Sequence, residues 1–134
     1  MNYWLVKSEP DVYHFDTLVK DKKAVWDGVR NFAARLHLKA MKKGDLVLFY
    51  HSTGEKAVVG IAKVSKEWYP EPGDPDWAVV EITPERKLKK SITLSEVKAD
   101  KRLSEMKLVK LARLSVQPVT EAEFDIVLKK SEEK

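Results

Sequence analysis

The run Leu46-Val47-Leu48-Phe49-Tyr50 constrains this chain more than any other feature. Side chains of a strand alternate between its two faces, so an unbroken apolar run demands cover on both. The segments on either side read as elements able to supply that cover. Ser52-Thr53-Gly54-Glu55-Lys56 carries turn chemistry, so the run pairs as a hairpin with the next strand, Val58–Val64. Gly60 inside that strand marks a bulge or a bend of a curved sheet.

Further strands are expected at Tyr3–Lys7, closed by Ser8-Glu9-Pro10, at Trp77–Ile82, and at Leu114–Val116. Asp16–Lys22 predicts a short helix capped by Asp16. Asn31–Met41 predicts a longer one, with Ala33, Leu36, Ala40 and Met41 near one face and Gly44 as the stop. Leu94–Ala99 and Leu103–Met106 predict helical turns, and the capping box Thr120-x-x-Glu123 opens a terminal helix, Glu121–Lys129. The prolines and glycine of Tyr69–Asp76 predict a loop. The whole describes an α+β chain, a small, curved, mostly antiparallel sheet or barrel with helices closing its ends. No linker or repeat divides it, so residues 1–134 are expected to form one domain, with 130–134 frayed.

Composition removes several functions. The chain has no cysteine, which excludes disulfides, thiol catalysis, zinc fingers and iron–sulfur clusters. No apolar run approaches the ~20 residues of a membrane helix, and Met1–Lys7 lacks the pattern of a signal peptide. A soluble, cytoplasmic, monomeric protein without a membrane partner is therefore expected. His14, His37 and His51 show no paired ligand spacing, and there is no nucleophile elbow or phosphate-cradling glycine loop. Neither a metal, a cofactor nor a catalytic residue is singled out. The net charge of +4 suits a polyanion without requiring one.

What remains is aromatic and polar. Trp26 lies in the turn-rich segment Val25-Trp26-Asp27-Gly28-Val29-Arg30-Asn31. An indole there either walls a pocket, offering a flat face to a base, or plugs the core. Arg30 and Asn31 can bind phosphate or read a base edge, and Asn31 can also cap the helix that follows. Lys7-Ser8-Glu9 and Tyr50-His51-Ser52 end two strands, where polar groups converge on the mouth of a sheet.

Taken together, Tyr3-Trp4-Leu5-Val6-Lys7-Ser8-Glu9-Pro10, Val25–Asn31, Phe49-Tyr50-His51-Ser52 and Arg113-Leu114-Ser115-Val116-Gln117-Pro118-Val119 resemble the EVE domain family over nearly the whole chain. The resemblance implies a PUA-like fold, a curved β-barrel with flanking short helices, related to YTH and ASCH domains. Lys7-Ser8, Trp26 and the hairpin Phe49–Val64 also occur in the order in which YTH domains place their pocket residues. It further implies a non-catalytic module that binds nucleic acid, DNA or RNA, through a modified base such as 5-methylcytosine. The segment Tyr69–Asp76 is shorter here than in longer family members.

A methyl group adds little area, so its burial alone discriminates by ~1 kcal/mol or less. Stacking adds ~1–3 kcal/mol per base, and hydrogen bonds to the edge select the base. On this reading Trp26 is the stacking wall, joined by Tyr50 and one of Trp68, Tyr69 or Trp77. Ser8, Glu9, Asn31, His51, Ser52 and Ser115 read the edge, and Lys7, Arg30, Arg35 and Arg113 take phosphates. Ser115 and its neighbours equally suit a strand that only closes the sheet. A small nucleotide hydrolase of ASCH type and a protein-interaction domain stand as alternatives.

Overall fold

The computed structural model describes residues 1–132. Strands β1 (Tyr3–Ser8), β2 (Ala24–Trp26), β3 (Leu46–His51), β4 (Ala57–Glu71), β5 (Asp74–Thr93) and β6 (Val116–Val119) form one six-stranded sheet in the order β2-β5-β4-β3-β1-β6. β1 pairs with β3 in parallel, and the other pairings are antiparallel. The sheet is mostly antiparallel as expected, but it is open: β2 and β6 stand at its two ends, and the expected barrel does not close. Closure is unnecessary because helices bury both faces.

The apolar run of β3 sits at the centre of this arrangement. Val47 and Phe49 join Trp4 and Val6 on one face, under Phe15 and Leu18 of α1 (Phe15–Asp21) and Ala34 and Leu38 of α2 (Phe32–Ala40). Leu48 and Tyr50 join Leu5 on the other, under Val97 of α3 (Leu94–Ala99), Leu108 of α4 (Lys107–Lys110) and Phe124 and Val127 of α5 (Glu121–Glu132). Each fully buried Val, Leu or Phe side chain among them contributes about 1.5–3 kcal/mol. Gly60 has two structural reasons. The β3–β4 register slips between Phe49 and Tyr50, and a Cβ at Gly60 would lie 2.4 Å from Cζ of Phe15.

Several local expectations give way. α1 is capped by His14, whose Nδ1 accepts from the Asp16 N–H at 3.0 Å, and not by Asp16. α2 buries Ala34, Leu38 and its cap Met41, leaving Ala33, Leu36 and Ala40 outside. A three-ten turn at Lys101–Leu103 and α4 flank the helical turn expected at Leu103–Met106, and β6 begins only at Val116. α5 continues through residues 130–132, held by Lys130 Nζ at 3.4 Å from Asp100 and by the buried Ser131. The rest of the tail expected to fray, residues 133–134, lies outside the described residues.

The largest difference concerns Tyr69–Asp76. The ladder of β4 and β5 runs through it to Glu71↔Asp74, leaving Pro72-Gly73 as a tight turn with Gly73 at φ +86°. Proline followed by a glycine of positive φ fits the two central positions of a type II turn. Register shifts at Lys66/Tyr69 and Pro70/Glu71 absorb the irregularity that Pro70 brings. The charged stretch Thr83–Thr93, which shows little apolar alternation, is also strand, burying Leu88 and Ile92.

Candidate functional site

A cavity of about 490 Å³ opens where β1 and β2 end, within the ~300–1,000 Å³ range of small-molecule pockets. One wall is Lys7, Ser8, Glu9, Val12 and Tyr13; the other is Ala24 through Arg30, with Ser115 between them. Trp26 is on a strand and not in a loop: β2 pairs it with Val80 of β5. Its half-buried ring meets Tyr13 edge-on at 6.3 Å and Phe49 at 5.5 Å. The indole therefore rests on the core and also lines the cavity, so the two sequence readings of it are compatible.

Tyr13 holds this corner by donating its hydroxyl to Asp21 at 3.1 Å. Burial, then Asp21, pushes the phenol up to about 12, so the proton stays on. The turn after β2 is fixed from across the sheet. Glu71 accepts from the Gly28 N–H at 2.9 Å and from both terminal nitrogens of Arg30, with Nη1 at 3.1 Å. The Arg30 guanidinium and then the Gly28 N–H hold the Glu71 carboxyl below the usual carboxylate range.

The opposite wall is tied as tightly. The Lys7 N–H donates to Ser115 O at 3.0 Å and its ammonium donates to Ala112 O. Burial lowers the Lys7 pKa. Ser8 Oγ donates to Tyr13 O at 2.6 Å, leaving its lone pairs as acceptors. Glu9 turns the chain at Pro10 by accepting the Val12 and Tyr13 N–H groups on its carbonyl. Its exposed carboxylate has no hydrogen bond or ion pair among the described residues.

The cavity thus gathers Trp26, Lys7, Ser8, Glu9, Arg30 and Ser115, and leaves the other candidates elsewhere. Asn31 caps α2 by accepting the Ala34 N–H at 2.9 Å. Tyr50 is buried in the core on the other face. His51 is buried, with Nε2 accepting the Phe15 N–H at 3.2 Å; burial, then nearby His14, lowers its pKa. Ser52 gives its N–H to Ser8 O at 2.9 Å. Arg35 donates to Asp76 O at 2.7 Å, and Arg113 and Asn31 line a separate depression of about 370 Å³.

None of the proposed cage partners lines the cavity. Trp68 lies under Lys39, Tyr69 donates to Glu81 at 2.7 Å, and Trp77 stacks on Phe32. Tyr13, Val12 and Asp27 take their place, residues that sequence reasoning missed. Pro10 was the available signal, since it turns the chain after β1 back toward Trp26. Among the described residues no group of three His, Asp or Glu side chains converges to hold a metal.

An open curved sheet with one Trp-walled, polar-rimmed cavity at the ends of two strands defines a binding domain of small size. The chain belongs to the EVE domain family, whose model matches residues 2–130. It is 38% identical to thymocyte nuclear protein 1 of Gallus gallus, over 98% of this chain and 69% of that one. Rpa0253 from Rhodopseudomonas palustris superposes with a TM-score of 0.94 at 45% identity, covering 98% of this chain and 94% of that one. The human THYN1 protein in complex with 5-methylcytosine containing DNA superposes with a TM-score of 0.89 at 32% identity, covering 100% and 99%. A YTH domain from Zygosaccharomyces rouxii, 13% identical with a TM-score of 0.64, shares the fold. The curated vertebrate relatives are named thymocyte nuclear protein 1, which overturns the cytoplasmic expectation drawn from composition.

Proposed function

We propose that this protein is a non-catalytic module that takes one modified base of a nucleic acid, 5-methylcytosine in DNA foremost, into the cavity walled by Trp26. The carrying observation is that ring, pinned edge-on by Tyr13 and Phe49 in a cavity that also presents the unpaired carboxylate of Glu9. The complex of the human relative with 5-methylcytosine containing DNA supports the choice of ligand.

Stacking on Trp26 supplies about 1–3 kcal/mol. Glu9 accepts from the exocyclic amine of a cytosine-like base, while Ser8 and Ser115 line the same cavity as further polar groups for its edge. A base from a duplex must be flipped, costing a few kcal/mol that these contacts have to exceed. Arg30 is neutralised by Glu71, so it orders the wall more than it attracts phosphate. Arg113, without an ion pair among the described residues, is the better phosphate ligand.

Fluorescence anisotropy with oligonucleotides differing only in cytosine or 5-methylcytosine, run at two salt concentrations, tests the proposal. Tighter binding of the methylated strand supports it. Equal affinity for both strands with a strong salt dependence reduces the protein to a general polyanion binder.

A further inference from the structure

Outside the cavity lies a second aromatic arrangement. Phe32, the first residue of α2, is 67% exposed, which is unusual for so large an apolar ring. It stacks on Trp77 of β5, with ring centroids 5.4 Å apart and planes 24° from parallel. Arg35 lies over both rings, at 4.9 Å from Phe32 and 5.3 Å from Trp77. Arg30 lies over Trp77 at 5.3 Å and also lines the cavity.

We infer that Phe32, Trp77 and Arg35 form a platform for the nucleotide next to the one held in the cavity, a deepening that rests on the proposed function. Two facts favour a nucleic-acid strand over a protein on this face. The platform is continuous with the cavity through Arg30, which touches both. Among the described residues Arg35 pairs with no carboxylate and its one hydrogen bond goes to the Asp76 carbonyl, so the exposed ring sits beside an uncompensated positive charge. An aromatic face interleaved with guanidinium is the chemistry that single strands use, base on ring and phosphate on arginine. Asn31, by capping α2 at Ala34, fixes the helix start from which Phe32 projects.

The test compares two probes, 5-methyldeoxycytidine monophosphate and a single-stranded oligonucleotide with one central 5-methylcytosine. The variants are Phe32→Ala and Arg35→Gln, both at surface positions of α2, with thermal melts to establish that each folds. Phe32→Ala is expected to weaken the oligonucleotide by about fivefold or more while leaving the mononucleotide unchanged. Arg35→Gln is expected to make the salt dependence shallower by about 0.7 in log–log slope. Oligonucleotide binding indifferent to both variants, with mononucleotide binding still lost in Trp26→Ala, overturns the platform and spares the cavity. Failure of the unmodified protein to bind either probe overturns both. A change in sedimentation of the free protein in Phe32→Ala, without a change in affinity, assigns the face to self-association and also overturns the platform.

Discussion

Glu71 and Arg30 stand 41 positions apart in the chain and meet in a two-pronged pair beside the cavity, while the same carboxylate takes the Gly28 N–H. One side chain at the end of β4 thus sets the conformation of the turn that follows Trp26. It also masks the arginine nearest the cavity. Gly28 adopts φ +76° in this turn, a conformation most side chains avoid.

Unmasking Arg30 should be measurable. In Glu71→Gln the amide oxygen can still accept from Gly28, but the nearer of the two carboxylates paired with Arg30 is gone and only Asp74 remains. Binding of unmethylated oligonucleotide should strengthen, and its log–log salt slope should steepen by about 0.7–0.9. An unchanged slope in anisotropy titrations means that Arg30 remains covered, by Asp74 at 3.4 Å.

Trp26→Ala should cost about 1–3 kcal/mol of affinity for a 5-methylcytosine strand and erase most of its preference over cytosine. Tyr50→Phe should leave both intact, since Tyr50 lies in the opposite core. Isothermal titration calorimetry reads the two variants without relying on tryptophan emission. Equal losses in both would dissolve the distinction between wall and core.

Gly60→Ala should lower stability by about 1–3 kcal/mol, because the new methyl enters the Phe15 ring at 2.4 Å. Urea unfolding measures the loss, and Phe15→Leu in the same background should recover part of it. Full stability in Gly60→Ala would show that the ring has room to shift.

Acid should weaken the fold through His51 and His37, whose pKa values burial depresses. The unfolded chain then takes up protons first as pH falls below about 6.5, the ordinary histidine value. Stability is complete above that pH and declines as pH drops toward the lowered native values. For His51, burial and then His14 lower the value, and a proton on Nε2 would in addition abolish its acceptance of the Phe15 N–H. Unfolding free energies at about pH 5 and 7.5 should show the decline, with a smaller difference in His51→Gln. No change in that difference removes His51 from the account.

Much of the frame could be read along the chain, for identifiable reasons. Leu46–Tyr50 reports two buried faces through strand alternation alone. Thr120 and Glu123 exchange hydrogen bonds across three residues, so their capping box is local chemistry. The same holds for Asn31 as a cap. The cavity was legible where its residues end strands, as with Lys7-Ser8-Glu9 and Trp26. Tyr50-His51-Ser52 ends a strand too, yet the Tyr50 ring goes to the core and the His51 ring to a structural bond, because which face an end residue takes depends on pairing register.

What the amino-acid order determined by itself was therefore each element whose evidence lies within a few residues: the double-faced strand, the helix caps, the hairpin and the family pattern. Tertiary structure alone decided that the sheet stays open, that Ala24–Trp26 is a strand against β5, that Tyr13 and not Tyr50 joins Trp26, and that Glu71 clamps Arg30. Periodicity records burial only through neighbours on the same element. Contacts between groups tens of residues apart leave no such trace, and their partners are chosen only when the two covering layers close over the sheet.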